Sequence, residues 1–234
     1  MSNTTVVELL ERNVRHVESL PDSHFDTVQA EQRPAVVSVS CSDSRVPQEG
    51  MWDVDEPGWL FTVANIGNQV RDRYEGGDVL CGDVLYPIQC TETDVAAVVG
   101  HTGCGAVTAA LQRAQSGDSG SLSPGIEKRV ESLMPVVEAG LDDDRVTADG
   151  DAGLVDQLVE YNVDRQVEFL RTDGAVPDSV TVAGFVYDFQ GVYGDTYGRC
   201  YLVNRDGDTG IESLRATVPK RFEEHVRRLL KYSQ

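Results

Sequence analysis

Two short stretches of this chain carry residues with chemistry to do. Cys41-Ser42-Asp43-Ser44-Arg45 places a thiol, a carboxylate and a guanidinium almost side by side, and His101-Thr102-Gly103-Cys104-Gly105 supplies an imidazole and a second thiol. Thiolates and imidazole nitrogens are ligands that zinc prefers, and three protein ligands with one position left for water is the catalytic pattern rather than the structural one. Cys41, His101 and Cys104 are therefore the candidate metal ligands. Two thiolates and a neutral imidazole balance the charge of Zn²⁺, and the metal brings the pKa of its water to about 7. Asp43 and Arg45 are the candidate catalytic residues. An ionised Asp43 can orient a zinc-bound hydroxide, or swing in as a fourth ligand and close the site. Arg45 can hold that carboxylate off the metal through a bidentate pair.

Both stretches sit where strands should end. Ala35-Val36-Val37-Ser38-Val39-Ser40 and Val95-Ala96-Ala97-Val98-Val99-Gly100 read as buried strands, and in open α/β sheets ligands bind outside the carboxyl ends of strands. A helix beginning at or just after Cys104 and running through Ala106, Val107, Ala110 and Leu111 would aim free N–H groups at the Cys104 sulfur and lower its pKa. His-x-x-Cys alone is a weak signal, and its conjunction with Cys-x-Asp-x-Arg at a second strand end is what makes it specific. A cysteine-phosphatase loop is excluded. It needs about five residues between Cys and Arg to wrap a phosphate, whereas this stretch has three, and Asp43 would repel the anion. His16 and His225 fall in amphipathic helical patterns and His24 near a helix end. Cys81, Cys90 and Cys200 lie outside the proposed site.

The elements that must position these loops are legible from periodicity. Val6, Leu9, Leu10, Val14, Val17 and Leu20 predict an amphipathic helix over 4–20. Further strands are expected at 59–64, 179–187 and 200–204, the last two joined by a hairpin containing Gly191 and Gly194. Helices are expected over 79–89, 126–139, 154–170 and 219–232, and the polar stretch 69–78 is expected to be exposed. Strands alternating with helices define an α/β fold: a mainly parallel central sheet of about four parallel strands plus an antiparallel edge strand, flanked by helices. One domain, 1–234, should comprise an N-terminal helical arm (1–33), a catalytic core (35–205) and a C-terminal helix (212–234).

Composition limits the partners. The chain has 39 acidic and 20 basic residues, a net charge of −19, and its only lysines are Lys128, Lys220 and Lys231. Such a surface repels nucleic acid and anionic membranes. Its self-repulsion is tolerable when salt screens it, so the reading is a halophilic, salt-adapted surface. No apolar run is long enough to span a bilayer, the N-terminus is too polar for a secretory signal, and five scattered cysteines do not make a disulfide framework. A reducing cytoplasm is the expected location.

At these residues the sequence resembles the β-class carbonic anhydrases. Cys41-Ser42-Asp43-Ser44-Arg45 and Gly100-His101-Thr102-Gly103-Cys104-Gly105 match that family's two signatures in order and approximate separation. Asn65-Ile66-Gly67-Asn68 resembles its Asn-Ala-Gly-Asn loop, Asn162-Val163 with Gln166-Val167 its helix before the fourth strand, and Gly184-Phe185-Val186-Tyr187-Asp188 its Gly-Trp-Val-Tyr-Asp strand. The resemblance spans roughly residues 35–205. It implies reversible hydration of carbon dioxide to bicarbonate and a proton, with Zn²⁺ on Cys41, His101 and Cys104 and a catalytic dyad of Asp43 and Arg45. It also implies a homodimer or homotetramer, with the N-terminal helix packed on the partner subunit.

The chain departs from the pattern in places. Ala64 stands where the family often has Arg, and Asp83-Val84-Leu85-Tyr86 lacks the glutamate of a Ser-x-Glu-Tyr segment. Of a regulatory bicarbonate pocket built from Trp, Arg and Tyr in some members, the chain offers Ser38, Ala64 and Tyr187, so only the tyrosine survives. Two alternatives accompany the resemblance. One is a related zinc hydrolase of another small cumulated substrate such as carbon disulfide. The other is a non-catalytic zinc-binding protein that kept the fold, against which the retention of Asp43 and Arg45 argues.

Overall fold

A computed structural model describes residues 2–117, 122–147 and 153–231. The chain opens with helix α1 (Ser2–Ser19). Its apolar stripe finds no cover among the described residues: Val6, Leu9, Leu10, Val14 and Val17 are all more than half exposed. The core then builds from β1 (Val36–Cys41), the short α2 (Gln48–Met51), β2 (Leu60–Asn65), β3 (Arg71–Tyr74), β4 (Gly77–Leu80), α3 (Gly82–Cys90), β5 (Val95–His101) and α4 (Gly105–Ser116). It is completed by α5 (Pro124–Glu131), α6 (Met134–Leu141), α7 (Leu154–Thr172), β6 (Thr181–Asp188), β7 (Arg199–Arg205) and α8 (Ile211–Ala216).

Five strands form one sheet in the order β2-β1-β5-β6-β7. The β2–β1, β1–β5 and β5–β6 pairs are parallel and β7 runs antiparallel at the edge. This is the expected fold class. β1 and β5 are central and covered on both faces, which is why their sequences are near-continuous Val and Ala runs rather than alternating ones. Val37, Val39, Val98 and Val99 are fully buried. Helix α7 lies along β5 and β6 and buries Val159, Val163, Val167 and Leu170. All four parallel strands end on one side of the sheet, and their terminal loops meet there.

Three expectations are corrected. The polar stretch 69–78 is exposed from Asp72 on, but Gln69 and Val70 are buried, and β3 and β4 pair as a hairpin. Its turn, Glu75-Gly76, has φ of 49° and 84°, the left-handed pair that two-residue hairpins use. The helix over 126–139 is two helices, since Pro135 in the first turn of α6 cannot donate an N–H back across Ser132 and Leu133.

The continuous C-terminal helix does not form either. A 3₁₀ turn spans Lys220–His225, and the chain then runs irregularly to 231, with 232–234 outside the described residues. The competing partner is Glu160 of α7, which is fully buried. Its carboxylate accepts the N–H groups of Leu229 (2.7 Å) and Leu230 (3.3 Å) and pairs with Arg228 at 3.0 Å. Arg228 also pairs with Asp164 at 2.6 Å. These bonds outbid a helix whose apolar face would have been the only gain.

Candidate metal and active site

Cys41 ends β1, His101 ends β5, and Cys104 is the N-cap of α4. The two sulfurs and a histidine nitrogen lie within 4.8 Å of one another, and all three residues are buried. The sulfurs are 4.0 Å apart, close to the roughly 3.8 Å that two Zn–S bonds at a tetrahedral angle would give.

The histidine is oriented for a metal. Its Nδ1 is 3.0 Å from the Thr102 carbonyl, which can only accept, so Nδ1 carries the proton. Nε2 is then a bare lone pair, buried and without a hydrogen-bond partner among the described residues. An orphaned acceptor facing two thiols is costly unless a cation completes the set. The residues fit zinc.

Burial and mutual contact polarise the two thiols in opposite directions. The Cys104 S–H donates to Cys41 and lowers its pKa, and the Gly67 N–H acts in the same direction, against burial. Cys104 is raised, by Cys41 first and then by burial, and the Ala106 and Val107 N–H groups at the start of α4 only partly offset this. The expectation that the helix N-terminus would lower Cys104 is therefore corrected. Its N–H groups are present and lose to a neighbouring thiolate. The two charges of a metal are what would deprotonate both sulfurs.

Asp43 and Arg45 lie beside this cluster. Arg45 grips Asp43 through Nε (2.9 Å) and Nη2 (2.7 Å), and its backbone N–H adds a third bond to the carboxylate at 2.9 Å. The guanidinium holds the Asp43 carboxyl far below the usual carboxylate range. With a depressed folded pKa, the ionised pair is complete at neutral pH and is lost only as strongly acid pH falls through the folded value. Asp43 Oδ2 is 3.8 Å from His101 Nε2, so the carboxylate borders the position a metal would take. Arg45 reaches the Gly103 carbonyl at 3.4 Å and stacks over Phe189 at 4.6 Å, and the same ring stacks with His101 at 5.9 Å.

The loops are held from outside. Asp188, fully buried at the end of β6, accepts the Thr102 hydroxyl (3.3 Å) and the N–H groups of Gln190 (3.0 Å), Gly191 (2.8 Å) and Tyr193 (2.7 Å). Asp156, in the first turn of α7, accepts the Gly103 N–H at 2.8 Å. Gly67 has φ +82°, and a Cβ there would meet Leu133 at 2.7 Å, so only glycine lets this loop present its N–H to Cys41. Asn162 fixes the far side of the same residue by donating to the Gly67 carbonyl at 3.1 Å.

Sequence reasoning singled out Cys41, Asp43, Arg45, His101 and Cys104, and the fold brings all five together. It missed Phe189, Asp156 and the hub role of Asp188. Asp156 reads in sequence as an acidic residue favoured at any helix start, and no local signal distinguishes it. The other cysteines stay apart from the cluster, and burial pushes Cys200 up to about 12, an inert thiol. His225 serves structure, its Nδ1 lying 3.1 Å from the Cys200 carbonyl. Ser38 is buried within β1 and Ala64 is exposed on β2, so neither offers a cation beside Tyr187.

A mainly parallel sheet with a Cys-His-Cys cluster at its strand ends and an Asp-Arg pair beside it defines a metalloenzyme of the carbonic anhydrase type. The family profile for carbonic anhydrase matches residues 36–193, and the chain belongs to that family. Carbonic anhydrase 2 of Mycobacterium tuberculosis is 28% identical over 229 residues, covering 91% of this chain and all of the relative. The β-carbonic anhydrase CcaA superposes with a TM-score of 0.71 at 22% identity, covering 86% of this chain and 88% of the other. A tetrameric β-carbonic anhydrase of Sordaria macrospora gives 0.68 at 20% identity, over 86% and 98%.

Proposed function

We propose that this chain catalyses the reversible hydration of carbon dioxide to bicarbonate and a proton, with Cys41, His101 and Cys104 holding zinc and Asp43 and Arg45 as its catalytic pair. The bare, buried Nε2 of His101 facing two thiols carries the reading. Zinc, when bound there, supplies a Lewis acid that brings water to ionise near neutral pH. The chain's own residues do the rest. Asp43, fully ionised, is a pure acceptor and can orient the O–H of the attacking group so that its lone pair faces the carbon. Arg45 occupies both oxygens of that carboxylate through two parallel N–H bonds and so holds it beside the ligand position rather than on it. Phe189 supports both Arg45 and His101, so one ring couples the two halves of the site. Stopped-flow hydration by the zinc-loaded protein, at high and low salt, tests the reading. No rate above buffer background with carbon dioxide or a related cumulated substrate would end it.

The uncovered stripe of α1 supports a second element of the proposal, an arm that packs on a partner subunit in a dimer or tetramer; the Sordaria macrospora neighbour is itself tetrameric. A charge on that stripe should dissociate the assembly. Leu10→Asp is expected to sediment as a monomer with its core folded, and an unchanged oligomer would disprove the arm. A reducing cytoplasm belongs to the same reading, because the ligand thiols must stay free. Cell fractionation that placed the protein outside would contradict it.

Salt adaptation is proposed from the charge of −19. Lowering salt unscreens carboxylate repulsion over a distance that lengthens from about 10 Å at 0.1 M to about 30 Å at 0.01 M. The melting temperature should therefore climb as salt is added. A flat or falling curve would remove the adaptation from the reading.

A further inference from the structure

The peptide unit joining Thr102 to Gly103 is hydrogen-bonded at both ends. Its carbonyl accepts Nδ1–H of His101 at 3.0 Å, and its N–H donates to Asp156 Oδ1 at 2.8 Å. A metal-ligating histidine commonly gives its second N–H to a carboxylate or to a backbone carbonyl, which fixes the tautomer and raises ligand basicity. Here a carbonyl and a carboxylate stand in series. Bonds in such a chain polarise one another, so negative charge on the N–H side makes the carbonyl a stronger acceptor for the imidazole proton. We propose that Asp156 is a positioning residue of the metal centre that acts on His101 through the Thr102–Gly103 peptide, making Nε2 a stronger donor toward zinc. The proposal rests on His101 being a metal ligand.

The surroundings indicate that what Asp156 adds is charge. The peptide is already held in place without it. The Thr102 N–H donates to the Tyr187 carbonyl at 3.1 Å and the Thr102 hydroxyl to Asp188 at 3.3 Å. The Gly103 carbonyl accepts from Arg45 at 3.4 Å. Gly103 has φ +62°, and Gln190 stands 2.6 Å from where a Cβ would be, so the peptide has little room to turn. Of the charged groups around it, Asp188 touches the threonine hydroxyl and Arg45 the next carbonyl. Asp156 alone, among the described residues, bonds to the N–H of the unit that His101 binds. Burial raises its pKa, while the Gly103 N–H and its place in the first turn of α7 favour the ionised form.

Asp156→Asn in the full chain separates charge from placement, because the amide oxygen can still accept the Gly103 N–H. Zinc affinity, measured by chelator competition, should fall about tenfold, the lower end of what outer partners of a ligand contribute. The His101 Nδ1 proton resonance, assigned by its loss in His101→Gln, should move upfield in the zinc-free protein. The pH–rate midpoint of the loaded protein should move to lower pH, because a poorer imidazole donor leaves the metal more electrophilic. Asp156→Ala, which removes the acceptor as well, should shift all three further.

A role confined to starting α7 would lower the melting temperature and leave the proton resonance and zinc affinity untouched. That result in Asp156→Asn overturns the proposal. If His101→Gln itself keeps wild-type zinc affinity, the ligand assignment has failed, and the proposal falls with it.

Discussion

Cys104→Ser is expected to lose zinc and hydration activity together. The hydroxyl is a far poorer ligand for this metal than a thiolate. Cys104 is buried 4.0 Å from Cys41, so the substitution leaves one thiolate and one imidazole where two thiolates would balance the charge of the metal. Zinc affinity should fall by more than the roughly 100-fold ceiling for changes to a ligand's outer partners. Cys200→Ser, by contrast, replaces a buried thiol remote from the cluster and should keep full zinc, as should Cys81→Ser and Cys90→Ser. Metal analysis of the purified variants beside hydration kinetics decides the matter. A Cys104→Ser protein with one zinc per chain would remove that residue from the ligand set.

Arg45→Ala should give the opposite dissociation of properties: zinc retained, activity lost. The Asp43 carboxylate takes three hydrogen bonds from Arg45, two from the guanidinium and one from the backbone. Removing the side chain leaves only the backbone bond, with a carboxylate oxygen 3.8 Å from His101 Nε2. The nearest cation is then the metal, and Asp43 should become its fourth ligand. Rates should fall about 10²–10⁴-fold, the usual range for a positioned acid–base group. Asp43→Ala should also be slow, but with the fourth position left to water. Cobalt substitution distinguishes the two, since a fourth carboxylate ligand changes the visible spectrum. An open site with near-normal turnover in Arg45→Ala would show that the guanidinium does not gate it.

The Asp-Arg pair was legible because it is a local structure. Asp143-Asp144-Arg145, far from the cluster, folds into the same clamp, with the arginine N–H, Nε and Nη2 at 2.9, 2.9 and 2.8 Å from its aspartate. Asp-x-Arg makes this grip from its own turn, with no help from a metal site. The strand-end position of Cys41 and His101 was legible for a related reason, since a buried parallel strand has to be written as an apolar run. What sequence reasoning missed depends on residues far apart in the chain. Asp156 reaches Gly103 and Glu160 reaches Leu229 only once α7 has docked, and neither contact leaves a periodic trace. The hairpin at 71–80 was missed because its strands are short and mostly exposed, so they do not alternate in hydrophobicity.

The anchoring of the C-terminal segment on Glu160 bears on how the chain is made. That carboxylate lies at the centre of α7, and its partners besides Tyr193 are Arg228, Leu229 and Leu230. During synthesis from the N-terminus, the strands, the metal ligands and the Asp43–Arg45 turn are all available before any of those three residues exists. Glu160 must therefore stay hydrated, and α7 undocked along that side, until residues 228–230 are made and have docked. Closure of the core along this side of α7 thus waits on a segment far downstream in the chain, and a substitution such as Arg228→Ala leaves the Glu160 carboxylate buried without its cation.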